Sequence, residues 1–324
     1  MKTPFSQKQL KTCLRYPGGK SRACAKMDQY FPDLRDYDEF REPFLGGGSV
    51  AIHITKKYPN LNIWVNDLYE PLYNFWCQLR YQPNELHDLL MDIKDKHPNP
   101  DPEEVEKEKV KKADDKDYKG TLFYPAKDLF HKSVEIANGT ESSALERAAA
   151  FYVANKCSFS GLTSSSSFSQ QASISNFSTR GIGKLPEYGE LIGNWKITNK
   201  SYEQMLTDDK NTFIYLDPPY DIKDNLYGKN GEIHKGFDHD KFAEVCNNTN
   251  MNMMVSYNSD QLVKDRFSGK DWKAYEFDLT YTMRSVGEYM RDQKQRKELL
   301  LLNYDLRTEG LVEFNQSVKA ESDE

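Results

Sequence analysis

REPFLGGGSV, residues Arg41–Val50, decides how this chain folds: a short run ends in a cluster of glycines that opens a helix-like stretch. Gly46, Gly47 and Gly48 carry no Cβ and tolerate positive φ, so a ligand can lie against the backbone at the carboxyl end of a strand. Outward from this point, Asp38 to Trp76 alternates as a βαβ unit. A strand runs into Glu42, a helix follows from Val50 to Lys57, and a second strand runs from Leu61 to Val65. That strand ends in WVND at Asp67, where a carboxylate can accept hydrogen bonds from both hydroxyls of a ribose. The glycines do not fit G-x-G-x-x-G, which disfavours a nicotinamide enzyme and favours another adenosine-bearing cofactor.

A second decisive stretch is FIYLDPPY, Phe213–Tyr220. Thr212–Leu216 reads as a buried strand, and Pro218 and Pro219 end it because proline cannot continue a central strand. The prolines stiffen the turn and leave carbonyls that only accept. The Asp217 carboxylate and the Pro218 carbonyl could therefore take the two protons of an amino substrate such as that of adenine, whose lone pair is otherwise conjugated into its ring. Tyr220 offers a face on which a base flipped out of a duplex can stack. A third segment, RYPGGKSR (Arg15–Arg22), is a basic turn in which Lys20 is a point charge for a carboxylate or phosphate and Tyr16 a cover for an adjacent ligand.

At 324 residues the chain can bury a sizeable core in one or two domains. No stretch approaches the roughly 20 apolar residues that cross a bilayer, so an intracellular, soluble protein is expected, without membrane partners. The cysteines Cys13, Cys24, Cys77, Cys157 and Cys246 show no C-x-x-C spacing and the histidines no H-E-x-x-H, which implies neither a disulfide framework nor a metal. The net charge of −6 is unfavourable for phosphate binding, yet residues 1–26 carry seven bases and no acid. Such asymmetry permits a surface that faces DNA.

Further strands are expected at Met251–Ser256, Trp272–Leu279 and Glu298–Tyr304, with a helix at Asp240–Asn247. Between the two α/β blocks the composition changes. Asp92–Lys119 is almost wholly charged and reads as a solvated helix or a loop, and Tyr124–Lys156 has helical spacing at Leu129, Val134, Ile136, Leu145 and Phe151. Beyond Lys156 lies a serine-rich patch whose composition resembles a linker. Residues 311–324 read as a disordered tail.

In this order the segments resemble the Dam-type adenine-specific DNA methyltransferases (D12 class, alpha group). Arg15–Lys20 is similar to that family's K-W-A-G-G-K segment, Glu42–Val50 to its E-P-F-x-G-x-G-S-V cofactor motif, Val65–Asp67 to its acid-ending strand, and Asp217–Tyr220 to its catalytic tetrad. SYNSD (Ser256–Asp260) resembles a later strand end, and Arg284–Leu302 the penultimate loop and closing strand. The resemblance implies an α/β fold with a doubly wound, mostly parallel seven-stranded sheet, Rossmann-like, carrying a helical insertion. Residues 1–74 and 197–310 would form the catalytic domain that binds S-adenosylmethionine, and 75–196 a helical target-recognition domain. Asp217, Pro218, Pro219 and Tyr220 would be catalytic. Tyr16, Lys20, Phe44, Gly46, Gly48, Asp67 and Asp217 would hold the cofactor.

The family's N-R-x-x-x-N-G-L segment and the Arg- and Asn-rich hairpin after it are replaced here by NKCSFSGLTSSSSFSQQASISNFSTRG, which keeps Asn155, Gly161 and Leu162. The target therefore does not carry over with the motif, and a short palindrome is expected. Lys156–Lys184 is the expected reader of double-stranded DNA, through Asn155, Lys156, Gln170, Gln171 and Arg180. A restriction endonuclease acting on the same site is a possible cognate partner. Two other readings stay open at this point: a catalytically silent DNA-binding relative, and an enzyme that methylates an amino group of RNA or protein.

Overall fold

The computed structural model describes residue 7 and residues 9–115, 117–159, 161, 167–220, 236–268, 272–278 and 297–306. Residues 162–166 of the serine-rich patch, the basic run 284–296 and the tail 311–324 lie outside the described residues.

Seven strands form one sheet: β1 (Glu39–Glu42), β2 (Asn62–Asn66), β3 (Lys196–Thr198), β4 (Thr212–Leu216), β5 (Asn252–Asn258), β6 (Lys273–Asp278) and β7 (Lys297–Leu302). Their spatial order is β3-β2-β1-β4-β5-β7-β6. The β3-β2-β1-β4-β5 pairings are parallel, and β7 runs antiparallel to both neighbours. From β1 the chain winds outward through β2 and β3, then returns to the other side of β1 at β4. That reversal is the switch point at which such sheets open a crevice beyond their carboxyl ends.

Strand β4 alternates between the two faces of the sheet. Phe213 and Tyr215 join the larger core, and Ile214 and Leu216 a smaller one with Phe242 and Cys246 of α10 (His239–Asn247) and Val263 of α11 (Gln261–Arg266). Both faces being covered explains why TFIYL reads as a continuous apolar run. All five cysteines are buried thiols.

Helix α1 (Ser49–Lys57) crosses between β1 and β2. Among the described residues, eight helices separate β2 from β3: α2 (Glu70–Tyr81), α3 (Pro83–Lys96), α4 (Pro102–Asp114), α5 (Tyr124–Asn138), α6 (Ala144–Cys157), α7 (Gln170–Ser175), α8 (Thr179–Ile182) and α9 (Leu185–Leu191). The charged stretch Asp92–Lys119 takes in the end of α3, where Lys94 is buried, and helix α4, which has no buried residue. The apolar spacing of Tyr124–Lys156 divides into two helices because α5 stops before Gly139, and Ser143 with Glu146 forms a capping box that starts α6. Residue 75, the expected start of the insertion, falls inside α2; the chain leaves the sheet after Asn66. Among the described residues no helix is long and apolar enough to cross a membrane.

Candidate active site

The glycine loop after β1 and the Asp217–Tyr220 turn after β4 stand on adjacent parallel strands, one on each side of the switch point. Sequence-distant groups meet there. Lys20, in a single 3-10 turn (Lys20–Arg22) and only 3 % exposed, donates to both carboxylate oxygens of Asp217 at 2.9 Å, to the Tyr220 hydroxyl at 2.7 Å and to the Gly18 carbonyl at 3.2 Å. Its ammonium also lies 3.1 Å from Glu298 Oε1. That oxygen accepts hydrogen bonds from Ser256 Oγ at 2.6 Å and from the Tyr220 hydroxyl.

Although 22 % of its side chain reaches solvent, burial pushes the Asp217 carboxyl up to about 6, with Lys20 pulling against the shift and Glu298 adding to it. Asp217 is therefore mostly ionised at neutral pH, with a buried cation holding it so. Behind it, the Glu42 carboxylate accepts from the Ala51 amide at 2.7 Å, and burial followed by the Asp217 charge pushes its carboxyl well above the ordinary range.

Asp67 closes the other side of the glycine loop. Its Oδ2 accepts from the Gly46 amide at 2.9 Å and its Oδ1 from the Tyr69 amide at 3.0 Å. Burial pushes this carboxyl up to about 6 against those two amides. Gly46 and Gly48 have φ of +49° and +67°, the left-handed region that side chains resist. The loop has a second reason for its glycines. A Cβ at Gly46 would sit 2.9 Å from the Tyr16 ring, and one at Gly48 2.8 Å from the Trp76 ring, whose Nε1 donates to the Gly46 carbonyl. The space freed by the missing Cβ atoms is thus filled in part by the protein's own aromatic rings. Tyr16 lies over the glycine loop, which its sequence position alone does not reveal.

The Tyr220 ring stacks on Tyr257, with centroids 6.0 Å apart and planes at 28°, and the Tyr257 hydroxyl is 2.5 Å from His239 Nδ1. Phe44 packs among Tyr202, Phe237 and Phe242. Glu298, Ser256, Tyr257, His239 and Trp76 escape sequence reasoning. The legible signal was an acid opening an otherwise apolar strand in KELLLL, which is 2 % exposed in β7.

Lys20 is enclosed by Asp217, Tyr220 and Glu298, and on the adjacent strand Asp67 and Tyr16 both meet the glycine loop. The expected DNA contacts divide. Gln170 and Gln171, opening α7, and Arg180 in α8 are exposed. Lys156 is partly buried, its ammonium 5.1 Å from the Tyr152 ring centroid, and burial lowers its pKa to about 8. Asn155 is fully buried and donates to the carbonyls of Arg15 and Gly161 while accepting from the Arg15 amide, so its amide group is engaged within the protein and does not reach DNA here.

A doubly wound sheet that brings a glycine loop, a strand-end acid and a DPPY turn to its switch point defines a methyltransferase that acts on an amino group. Residues 16–283 match the D12 class N6 adenine-specific DNA methyltransferases, and the chain belongs to that family. It is also similar to the Type II methyltransferase M.MjaIII of Methanocaldococcus jannaschii, 23 % identical over 317 residues that cover 91 % of this chain and 100 % of that protein. The enzyme is accordingly an adenine-specific DNA methyltransferase.

Proposed function

We propose that the methyl donor is S-adenosylmethionine and that the acceptor is the 6-amino group of an adenine flipped out of duplex DNA at a short site. The observation that carries this reading is the Lys20 ammonium bound to both oxygens of Asp217 at the switch point. The residues around the glycine loop support such a cofactor. Each Asp67 oxygen accepts one amide hydrogen and keeps capacity for a ribose hydroxyl, and Phe44 gives an apolar wall. Gly46 and Gly48 leave the loop backbone close to that acid, and Tyr16 lies over it. When bound, the cofactor supplies an electrophilic methyl group.

Asp217 and the Pro218 carbonyl accept the two amino protons of adenine, which frees the nitrogen lone pair for attack. Pro219 keeps the turn rigid without adding a donor. Lys20 keeps Asp217 ionised in a buried setting, and the surplus proton of the methylated nitrogen leaves through the Asp217 carboxylate to solvent. The Tyr220 ring provides the stacking face, backed by Tyr257.

Target reading belongs to the segment 156–184, through the exposed Gln170, Gln171 and Arg180. The similarity to a type II methyltransferase supports a place in a restriction-modification pair, with a cognate endonuclease sharing the site. A labelled-methyl assay on DNA, RNA and protein, followed by base-resolution mapping, tests the whole reading. Label on adenine of one duplex sequence supports it; label on RNA or protein alone, or none at all, overturns it.

A further inference from the structure

We infer that Arg15 is a positioning residue for target reading: with Asn155 it clamps the base of the excursion from Ser158 to Phe168 to the segment that covers the glycine loop. The inference rests on the proposal that residues 156–184 read DNA.

The clamp is made of main-chain groups. Asn155, fully buried near the end of α6, accepts the Arg15 amide at 3.0 Å and donates to the Arg15 carbonyl at 2.7 Å, so one side chain satisfies both backbone groups of that residue. Its second amide hydrogen goes to the Gly161 carbonyl at 2.5 Å. The Arg15 guanidinium reaches the other way, donating to the carbonyls of Ser158 at 2.6 Å and Phe159 at 3.0 Å. These carbonyls follow the carboxyl end of α6, where a cation is favoured.

The excursion is closed at its base by the antiparallel bridge Ser158 with Phe168, by Phe159 N–H to the Ser167 carbonyl and by Ser169 N–H to the Cys157 carbonyl, each at 2.9 Å. Ser158 Oγ locks the turn further, donating to the Asn155 carbonyl and accepting from the Gly161 amide at 2.8 Å. Gly161 is required, since its φ is +85° and a Cβ would lie 2.3 Å from the Arg15 carbonyl oxygen. On the far side of the clamp, the next residue is Tyr16, whose ring lies over Gly46 and Gly47. One short segment thus joins the base of that excursion, at Ser158, Phe159 and Gly161, to the cover of the glycine loop.

A planar fork is needed to meet two adjacent carbonyls. Lysine keeps the charge and loses that geometry. The test is Arg15→Lys in the full-length enzyme, with Gly161→Ala as an independent way to force the clamp open. Methylation rates on the preferred site and each single-base variant are read together with cofactor Kd and the salt dependence of DNA binding. Arg15→Lys is expected to lower the preferred rate by about tenfold and to narrow discrimination, with cofactor Kd within about threefold and the salt slope unchanged. Gly161→Ala should share the loss of rate and of discrimination.

Unchanged rate and discrimination in Arg15→Lys overturn the clamp. Uniform weakening on every sequence with a flatter salt slope also overturns it and makes Arg15 a phosphate contact. Gln170→Ala, Gln171→Ala and Arg180→Ala separate this from the parent reading. If they relax discrimination and Arg15→Lys does not, the clamp fails and the reader stands. If Arg15→Lys relaxes it and they do not, the clamp stands and those three residues are not the readers.

Discussion

Lys20 holds Asp217 through both carboxylate oxygens at 2.9 Å, across 197 positions of sequence. The bond stabilises the ionised acid in a site where burial alone favours the neutral form. In Lys20→Met that opposing charge is gone, so the Asp217 pKa rises further above about 6. The acid limb of kcat against pH, at saturating cofactor, should move to higher pH, with at least about tenfold loss at pH 7 partly regained near pH 9. If the limb of the variant overlays that of the parent, Lys20 does not set the charge of Asp217.

Asp217→Ala removes one of two acceptors for the amino protons, a loss of about 2.7 to 4 kcal/mol in comparable sites, or a rate at least about a hundredfold lower. Single-turnover kinetics with preformed DNA complex isolates the step. A rate within tenfold of the parent would remove Asp217 from the chemistry.

Tyr220 carries two functions that one substitution can divide. Its ring stacks on Tyr257, while its hydroxyl accepts from Lys20 and donates to Glu298. Tyr220→Phe keeps the stack and removes one partner each from Lys20 and Glu298, so a loss of roughly five- to tenfold is expected, the net size of one ordinary hydrogen bond. Tyr220→Ala should lose about a hundredfold as the stacking face goes as well. Equal losses in both variants would assign the role to the phenol alone.

Cofactor binding should weaken as pH falls through about 6, because Asp67, raised to that value by burial, then becomes protonated and loses acceptor capacity for ribose hydroxyls. Asp67→Ala should raise cofactor Kd by about thirtyfold at pH 8, on the order of 2 kcal/mol, and leave DNA affinity nearly unchanged. Calorimetry from pH 5 to 8 on both proteins decides it: the inflection near pH 6 should be smaller in the variant, with Asp217 another group that titrates there. An unaltered Kd in Asp67→Ala rules out the ribose contact.

Local chemistry made much of the fold legible. Gly46 and Gly48 need their turn, Pro218 and Pro219 must end a strand, and TFIYL must be buried on both faces, so β1, β2 and β4 follow from residues alone. Strand β3 escaped because Lys196–Thr198 is a short edge with one exposed and two half-buried positions, too brief to show alternation. The Lys20–Asp217–Glu298 cluster escaped for a different reason: only the sheet order brings β7 and the N-terminal turn to the carboxyl end of β4. Asn155 drew attention as a DNA contact, although its neighbours in AAAFYVANKC leave little polar face and place it inside.

Strands β2 and β3 are paired in parallel, Asn66 opposite Thr198, and the whole helical lobe leaves from one and returns into the other. The lobe leaves β2 at Asn66 and enters β3 at Lys196, which lies opposite Trp64, so its two ends stand on neighbouring strands roughly 8 Å apart. Another lobe spliced between the same two ends would have to rebuild the core that Phe75, Phe151 and Tyr152 share with Phe40 and Ile63 of the sheet. Trp76 and Trp195 mark the inner limit of such an exchange, because they pack against each other with centroids 5.8 Å apart and Trp76 abuts Gly48. A hybrid would also have to keep Asn155, Ser158 and Gly161, which hold Arg15 next to Tyr16. What can drift in the lobe is therefore bounded by the residues that touch the glycine loop and the segment lying over it.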